Sequence, residues 1–428
     1  MKTHTARIGV LLGVLSPVAA AQQDPALFRK SSVPYAQFAH DVAPYGDYDG
    51  DGHDDLLVGT PASYASFPGQ GQVQIISGVD GRALLTTTDF DDRWSLGSSV
   101  AAVDDVDGDG VTDFAIGSLK RSFVPGIRSR VSVHSGATGA RLWLFEEQTE
   151  GESLGDRMDA VGDQDGDGIR DLLVGGPGSS SVFQSAGVVM VLSGADGAVI
   201  RRIDGFAEAE SFGASVSRLG DVDGDGIEDF MAGAPGAFGP PNFAMLPVGK
   251  LRIFSGASGA VLRTITGRDF RDPIGGGCDE IGDVDGDGVP DLLVNAGSTA
   301  AFVSTGPIVV FSAATGTPLL TIRQPFNSGV ALSRQASGVG DANGDGRPDI
   351  AYSFRRNSFI VVRVIDALTG DLHMESIDLG PFVNAYIPKV TRAGDLDGDG
   401  RPDIACAVPD FSRHAHQAGA LLTFTGVE

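Results

Sequence analysis

The sequence has little from which to build a helical or disulfide-stapled protein. Its two cysteines, Cys278 and Cys406, are too few and too far apart for a disulfide framework, and both are expected to be buried free thiols. Charged residues make up only 20% of the chain, and helix-forming Lys and Glu are scarce beside Gly, Val, Ser, Thr and Asp. That balance suits short strands and many turns. Basic residues are outnumbered, 31 Lys and Arg against 56 Asp and Glu, for a formal charge of −25, which argues against nucleic acid or an anionic membrane surface as partner. Past the first 21 residues no run is long and apolar enough to span a bilayer. There is no G-x-S-x-G elbow and no phosphate-binding loop. The histidines are scattered; His414 and His416 flank Ala415 with no third metal ligand evident.

The N-terminus reads as a secretory signal. Lys2 and Arg7 give a basic start, Ile8 to Ala20 an apolar stretch, and Ala19-Ala20-Ala21 a small-residue cleavage site before Gln22. No cysteine follows for a lipid anchor. The expectation is a signal over 1–21 and a single exported domain, secreted or periplasmic, over 22–428.

What the chain has in abundance is repetition. The pattern D-x-[DN]-G-D-G-x-x-D begins at Asp47, Asp105, Asp163, Asp221, Asp283, Asp341 and Asp395, at intervals of 58, 58, 58, 62, 58 and 54 residues. Seven units fill the chain from Gln22, with nothing left over for a second domain. Unit four is the clearest: a strand-like run Phe212 to Leu219, the acidic loop, a second run Phe230 to Ala232 closed by Gly233-Ala234-Pro235, a third run Lys250 to Phe254, a turn at 255–259, and a fourth run Val261 to Ile265. Four strands joined by turns make one antiparallel sheet that cannot bury both faces alone, whereas seven in a ring share a continuous core. The predicted fold is all-β, a seven-bladed β-propeller of four-stranded antiparallel blades. The last unit stops at Thr425-Gly426 without a fourth strand, and Ala26 to Lys30 is an extra strand-like piece ahead of unit one. An N-terminal strand is therefore expected to close the ring and cover two open sheet edges.

Phe212-Gly213, nine residues before its acidic loop, and Gly233-Ala234-Pro235 just after it carry a family resemblance. The chain resembles the FG-GAP repeat of integrin alpha-subunit propellers, also found in glycosylphosphatidylinositol-specific phospholipase D. The first motif recurs loosely as Phe38-Ala39, Leu96-Gly97, Leu154-Gly155 and Ile274-Gly275, and decays to Leu332-Ser333 and Tyr386-Ile387. The second recurs as Gly59-Thr60-Pro61 and Gly175-Gly176-Pro177, and decays in units five to seven. The resemblance implies the propeller, its calcium sites and a leaning toward adhesion. It carries over no ligand, because the additional domains of those families have no counterpart in the seven repeats.

Residue chemistry independently points to calcium, which takes six to eight oxygen ligands. Positions one, three and five of each loop alternate along a tight turn, glycines at four and six let the backbone curl, position seven offers a carbonyl, and the Asp at nine closes the cage. Four carboxylates in one loop would repel each other without a cation. The expected ligands, about seven Ca2+ per chain, are Asp47, Asp49, Asp51, His53 and Asp55 in unit one; Asp105, Asp107, Asp109, Val111 and Asp113 in unit two; and Asp163, Asp165, Asp167, Ile169 and Asp171 in unit three. Units four and five supply Asp221, Asp223, Asp225, Ile227 and Asp229, then Asp283, Asp285, Asp287, Val289 and Asp291. Units six and seven supply Asp341, Asn343, Asp345, Arg347 and Asp349, then Asp395, Asp397, Asp399, Arg401 and Asp403. Unit six is expected to be the weakest, with neutral Asn343 at position three and Arg347 at position seven.

The connections between second and third strands hold aromatics (Tyr64, Phe67, Phe123, Phe183, Phe238, Phe243, Phe302, Phe411) and cations (Lys120, Arg121, Arg128, Arg130, Arg355, Arg356, Arg413) of the kind that anchor interfaces. In integrins the face opposite the calcium loops binds ligand, so the resemblance implies a protein or glycan partner there. The leading expectation is a non-enzymatic adhesion or protein-interaction module. A carbohydrate-binding propeller and a calcium-dependent polysaccharide lyase are the alternatives.

Overall fold

A computed structural model describes residues 10–11, 21–23, 27–30, 38–61, 71–88, 94–120, 128–237, 247–268, 273–295, 306–323, 331–332, 336–356, 359–376, 389–408, 420–425 and 427. These contain strands and turns and no helix long and apolar enough to cross a membrane.

Seven sheets follow one another along the chain. Blade four shows the plan: Ser215–Leu219, Asp229–Ala234, Lys250–Phe254 and Val261–Thr266 pair successively and antiparallel. The acidic loop joins the first two strands, so it lies at the opposite end of the sheet from the connection between the second and third. The second strands of blades one, three, four, five and seven, Asp55–Thr60 and Asp229–Ala234 among them, are buried along their whole length. This is what a strand covered on both faces by neighbouring blades requires. Outer strands such as Val199–Asp204 are partly exposed.

The apolar residues form seven clusters, each across one blade junction. Leu57, Ile75, Val100 and Ile116 join blades one and two. At the last junction Val42, Leu56, Val58 and Ile76 of blade one pack with Ala405, Ala407 and Leu421 of blade seven. The core is therefore a closed ring. Its innermost strands surround a cavity of about 640 Å³ and are tied together by carboxylates: Asp41 accepts the Val100 amide at 3.0 Å, Asp159 that of Arg218 at 2.9 Å, and Asp279 that of Gly338 at 3.1 Å.

Blade seven consists of Lys389–Gly394, Asp403–Val408 and Ala420–Phe424. Leu27–Lys30 runs antiparallel along Ala420 to Thr423 as the fourth strand of that sheet. Two further N-terminal pieces add in parallel to outer edges, Val10–Leu11 on blade five and Ala21–Gln23 on blade six.

The FG and GAP segments form the joint between consecutive blades. Phe212 is fully buried, and Gly213 has φ +84°. A β-carbon on Gly233 would stand 2.1 Å from the Gly275 carbonyl oxygen of the next blade; the matching distances are 2.4 Å for Gly59 to Gly97, 2.3 Å for Gly117 to Gly155 and 2.2 Å for Gly175 to Gly213. The GAP glycine of one blade is the seat for the FG glycine of the next, so any side chain there meets backbone.

Candidate metal centres

Each acidic loop is held in shape by its first Asp. In blade one Asp47 Oδ1 accepts the amides of Gly50 and Asp51 at 2.8 and 3.0 Å, and Oδ2 accepts that of Gly52 at 2.9 Å. Asp105, Asp221, Asp283 and Asp395 repeat this set. Gly50 and Gly52 adopt φ +75° and +90°, the left-handed region where glycine carries no steric penalty. The Asp at position five then turns back on the chain: Asp51 Oδ1 accepts the His53 amide, and Asp225 Oδ1 that of Ile227.

The Asp at position nine lies at the start of the second strand and is almost wholly buried, from 0% exposed at Asp55 to 1% at Asp403. It ties the start of its loop to the turn after the third strand. Asp55 Oδ2 accepts the Tyr48 amide and Oδ1 that of Gly78; Asp113, Asp171, Asp229 and Asp291 make the same pair of bonds. Burial pushes Asp171 and Asp291 up to about 6 and Asp349 and Asp403 up to about 7; acidic neighbours at positions such as Asp165, Asp285, Asp345 and Asp397 add to the rise, and the backbone donors oppose it. Asp55, Asp113 and Asp229 are raised for the same reason.

Ligand atoms come within 4.8 Å of one another in the sets Asp47, Asp49, Asp55; Asp105, Asp107, Asp113; Asp163, Asp165, Asp171; and Asp221, Asp223, Asp225. These all-oxygen sets, each with several carboxylates converging at one loop and most with a buried one, fit a hard divalent cation such as calcium. Asp109, Asp167, Asp229, Asp287, Asp399 and the position-seven residues His53, Val111, Ile169, Ile227, Val289, Arg347 and Arg401 occupy the same loops. Arg82 reaches from the turn after the third strand to Asp49, 2.6 Å away, a counter-ion that the repeat pattern does not reveal.

Blade six is different. Asp345 Oδ2 accepts from the Asn343 side-chain amide at 3.1 Å. The atoms that converge within 4.8 Å there are those of Asp345, Asp366 and His373. Asp366 and His373 lie outside the nine-residue pattern, and only alignment of the third and fourth strands of all blades singles them out.

The two cysteines are free and buried, in blades five and seven, and burial pushes both thiols up to about 12. On the opposite face, Phe183 is 47% exposed beside Val182. Arg130 lies within a strand and pairs with Glu146 at 2.6 Å. Lys120, Arg355 and Arg356, expected in loops, belong to strands: Lys120 ends the second strand of blade two, and Arg355 and Arg356 pair with Ile360 and Phe359 in blade six. Tyr64, Phe67, Phe123, Phe238, Phe243, Phe302, Phe411, Arg121, Arg413, His414 and His416 fall outside the described residues.

Sheet order, junction cores and FG/GAP joints make this a seven-bladed propeller that resembles the FG-GAP-repeat propellers of integrin alpha subunits. The FG-GAP repeat profile matches residues 38–76 and 391–424. The chain is 29% identical to integrin alpha-V of Gallus gallus over 308 residues, 65% of this chain and 29% of that protein. It is 28% identical to integrin alpha-5 of Xenopus laevis over 271 residues, 59% and 25% of the two chains, and 31% identical to integrin alpha-PS5 of Drosophila melanogaster over 176 residues, 36% and 16%. The matches thus span less than a third of each relative. Among solved structures, "Structure of Dos1 propeller" superposes with a TM-score of 0.49 at 11% identity, covering 90% of this chain and 77% of that one.

Proposed function

We propose that the chain is an exported, calcium-stabilised adhesion or protein-interaction module without catalytic activity. The observation that carries this reading is the buried position-nine carboxylate, repeated in all seven blades beside other carboxylates. Such a group favours a bound cation, and in this fold it fastens the loop to the blade. The similarity to integrin alpha subunits supports an extracellular, ligand-binding role. Calcium would be held by the loop carboxylates and position-seven carbonyls, and would supply rigidity. Cleavage after Ala21 would remove the Val10–Leu11 addition from blade five, which keeps its own four strands, and the first residue of the Ala21–Gln23 addition to blade six.

The partner, protein or glycan, is placed on the connections between second and third strands. These differ between blades in length and content and lack the acidic nine-residue pattern. The test is binding of the chain from Gln22 onward to cell-surface proteins and to a glycan array, beside a variant with Arg121, Arg355, Arg356 and Arg413 replaced by Ala. The variant should lose partner binding while keeping calcium content and melting temperature. Full binding by that variant, with binding lost instead in a folded Asp221→Asn, Asp225→Asn protein, would overturn the placement.

A further inference from the structure

Blade six departs from the others at three matched positions. Position three of the loop is Asn343, where the other blades carry Asp. The residue whose amide and carbonyl close the turn between the third and fourth strands is Ser77, Ser135, Ser193, Ser255 and Ser312 in blades one to five, and Asp366 in blade six. The second residue of the fourth strand is Leu84, Leu142, Ile200, Leu262 and Leu319 in blades one to five, and His373 in blade six. One carboxylate has been lost from the loop while a carboxylate and an imidazole have been gained beside it.

The gained groups converge. Asp345, Asp366 and His373 each offer a ligand atom within 4.8 Å of the others. Asp366 is 2% exposed; its Oδ1 accepts the amides of Leu368 and Thr369, and its Oδ2 lies 3.6 Å from the exposed Arg347 guanidinium. Behind the imidazole stands Asp349, 0% exposed. In blades one to five the equivalent Oδ1 accepts a backbone amide from Gly78, Gly136, Gly194, Gly256 or Ala313. In blade six the corresponding amide, that of Ala367, goes to the Pro348 carbonyl instead. Asp349 Oδ1 is left buried with no hydrogen-bond donor, 3.2 Å from His373 Nε2.

We propose that blade six holds a divalent transition ion of the zinc class through Asp345, Asp366 and His373, with Asp349 as the outer carboxylate that orients the imidazole. Calcium takes oxygen ligands and gains little from a histidine, whereas zinc takes imidazole nitrogen with carboxylate oxygen. A carboxylate behind a metal-binding histidine fixes its ring and raises its basicity, which gives the freed Asp349 oxygen a role. Three protein ligands leave a fourth position for water. Arg347 is the counter-ion of Asp366 in the metal-free protein and swings away on binding. The proposal does not rest on calcium occupancy of the other loops.

The test uses the full chain, stripped with chelator and re-equilibrated with excess Ca2+ and limiting Zn2+. Metal per chain is counted after gel filtration. One Zn2+ should remain that excess Ca2+ does not displace, and Co2+ in its place should give visible absorption bands of nitrogen–oxygen coordination. His373→Leu and Asp366→Ser each restore the residue type of the other blades. They should weaken zinc binding more than about 100-fold with calcium content and melting temperature unchanged. The proposal is overturned if the wild-type chain keeps no zinc under excess calcium, if the Co2+ bands are absent, or if either variant retains wild-type zinc affinity.

Discussion

Blades one to five and blades six and seven are built on one plan and joined differently. From the first junction to the fourth, a GAP glycine lies under the FG glycine of the next blade, at a separation that excludes any side chain. At the matched position the later blades carry Asn295, Ser353 and Ala407, and the FG segments that follow them are Leu332-Ser333, Tyr386-Ile387 and Phe38-Ala39. That the two motifs decay together in sequence is what two halves of one contact require, since a side chain on the seat leaves no room for the approach made at the first four junctions. Packing is not lost with it. Val362, Val364, Ile404, Cys406 and Leu422 still make a core between blades six and seven, and Leu27–Lys30 supplies the strand that the last repeat lacks. One part of the ring is joined by backbone contact, the other by side chains and a borrowed strand.

The largest effect should come from removing that strand. Deleting residues 22–32 takes away Leu27–Lys30 and leaves Ala420–Phe424 as an open edge. We expect the melting temperature to fall by on the order of 10 °C and the protein to elute as a larger or aggregated species. Deleting residues 1–11 instead, which removes only an addition to blade five, should change neither. Equal behaviour of the two truncations would erase the distinction.

A smaller effect separates the joints. Gly233→Ala places a β-carbon 2.1 Å from Gly275 O, so backbone must move, at a cost of roughly 2–4 kcal/mol in denaturant unfolding. Ala407→Gly, at the same register position in blade seven, should cost only about 1 kcal/mol through lost burial and added chain freedom. Comparable losses from the two substitutions would show that the glycine seat has no special role.

Much of this was legible in the sequence because the repeat is strict where the backbone is constrained. Asp at positions one and nine holds loop amides, and glycine at four and six takes left-handed backbone, so neither tolerates replacement and the blades can be counted from them. Lys250–Phe254 matched its expected bounds. The first strand of blade four, expected from Phe212, begins at Ser215, because the FG residues are spent on the contact with Gly187 and Gly233. Arg355 and Arg356 were misplaced because a hairpin of two connecting residues has no composition to mark it. Asp366 and His373 went unseen because they stand apart from the nine-residue pattern in sequence and meet it only through strand pairing.

Calcium sharpens the comparison further. Chelation should lower the melting temperature clearly, since a site filled at a hundred times its dissociation constant contributes about 2.7 kcal/mol. Asp223→Asn should lose one calcium of the roughly seven expected from one ion per loop. Asn343→Asp should strengthen calcium binding in blade six. Native mass spectrometry gives both stoichiometries, and an unchanged melt after confirmed metal loss would remove the structural role assigned to the loops.

The smallest effect lies in the pH dependence of the metal-free protein. The buried position-nine carboxylates are raised above the 3.8 of a free Asp, Asp171 and Asp291 to about 6, Asp349 and Asp403 to about 7. Between pH 4 and 7, roughly, the native state therefore binds more protons than the unfolded chain, and stability falls as pH rises through that window. The chelated protein should melt higher at about pH 5 than at about pH 8, the reverse of a protein whose carboxylates are held by cationic partners. The two regions should differ in where the loss occurs. Asp349→Asn, which cannot ionise, should flatten the profile near pH 7, and Asp171→Asn near pH 6. Asp349 shows the later loss because burial weighs most heavily on it, with the charges of Asp345 and Asp341 adding to the rise. Excess calcium should abolish the slope at Asp171, because the bound ion holds the carboxylate ionised at neutral pH and leaves no proton to lose. A metal-free melt that rises steadily from pH 5 to 8 would show that these carboxylates are ionised in the native state without an ion beside them.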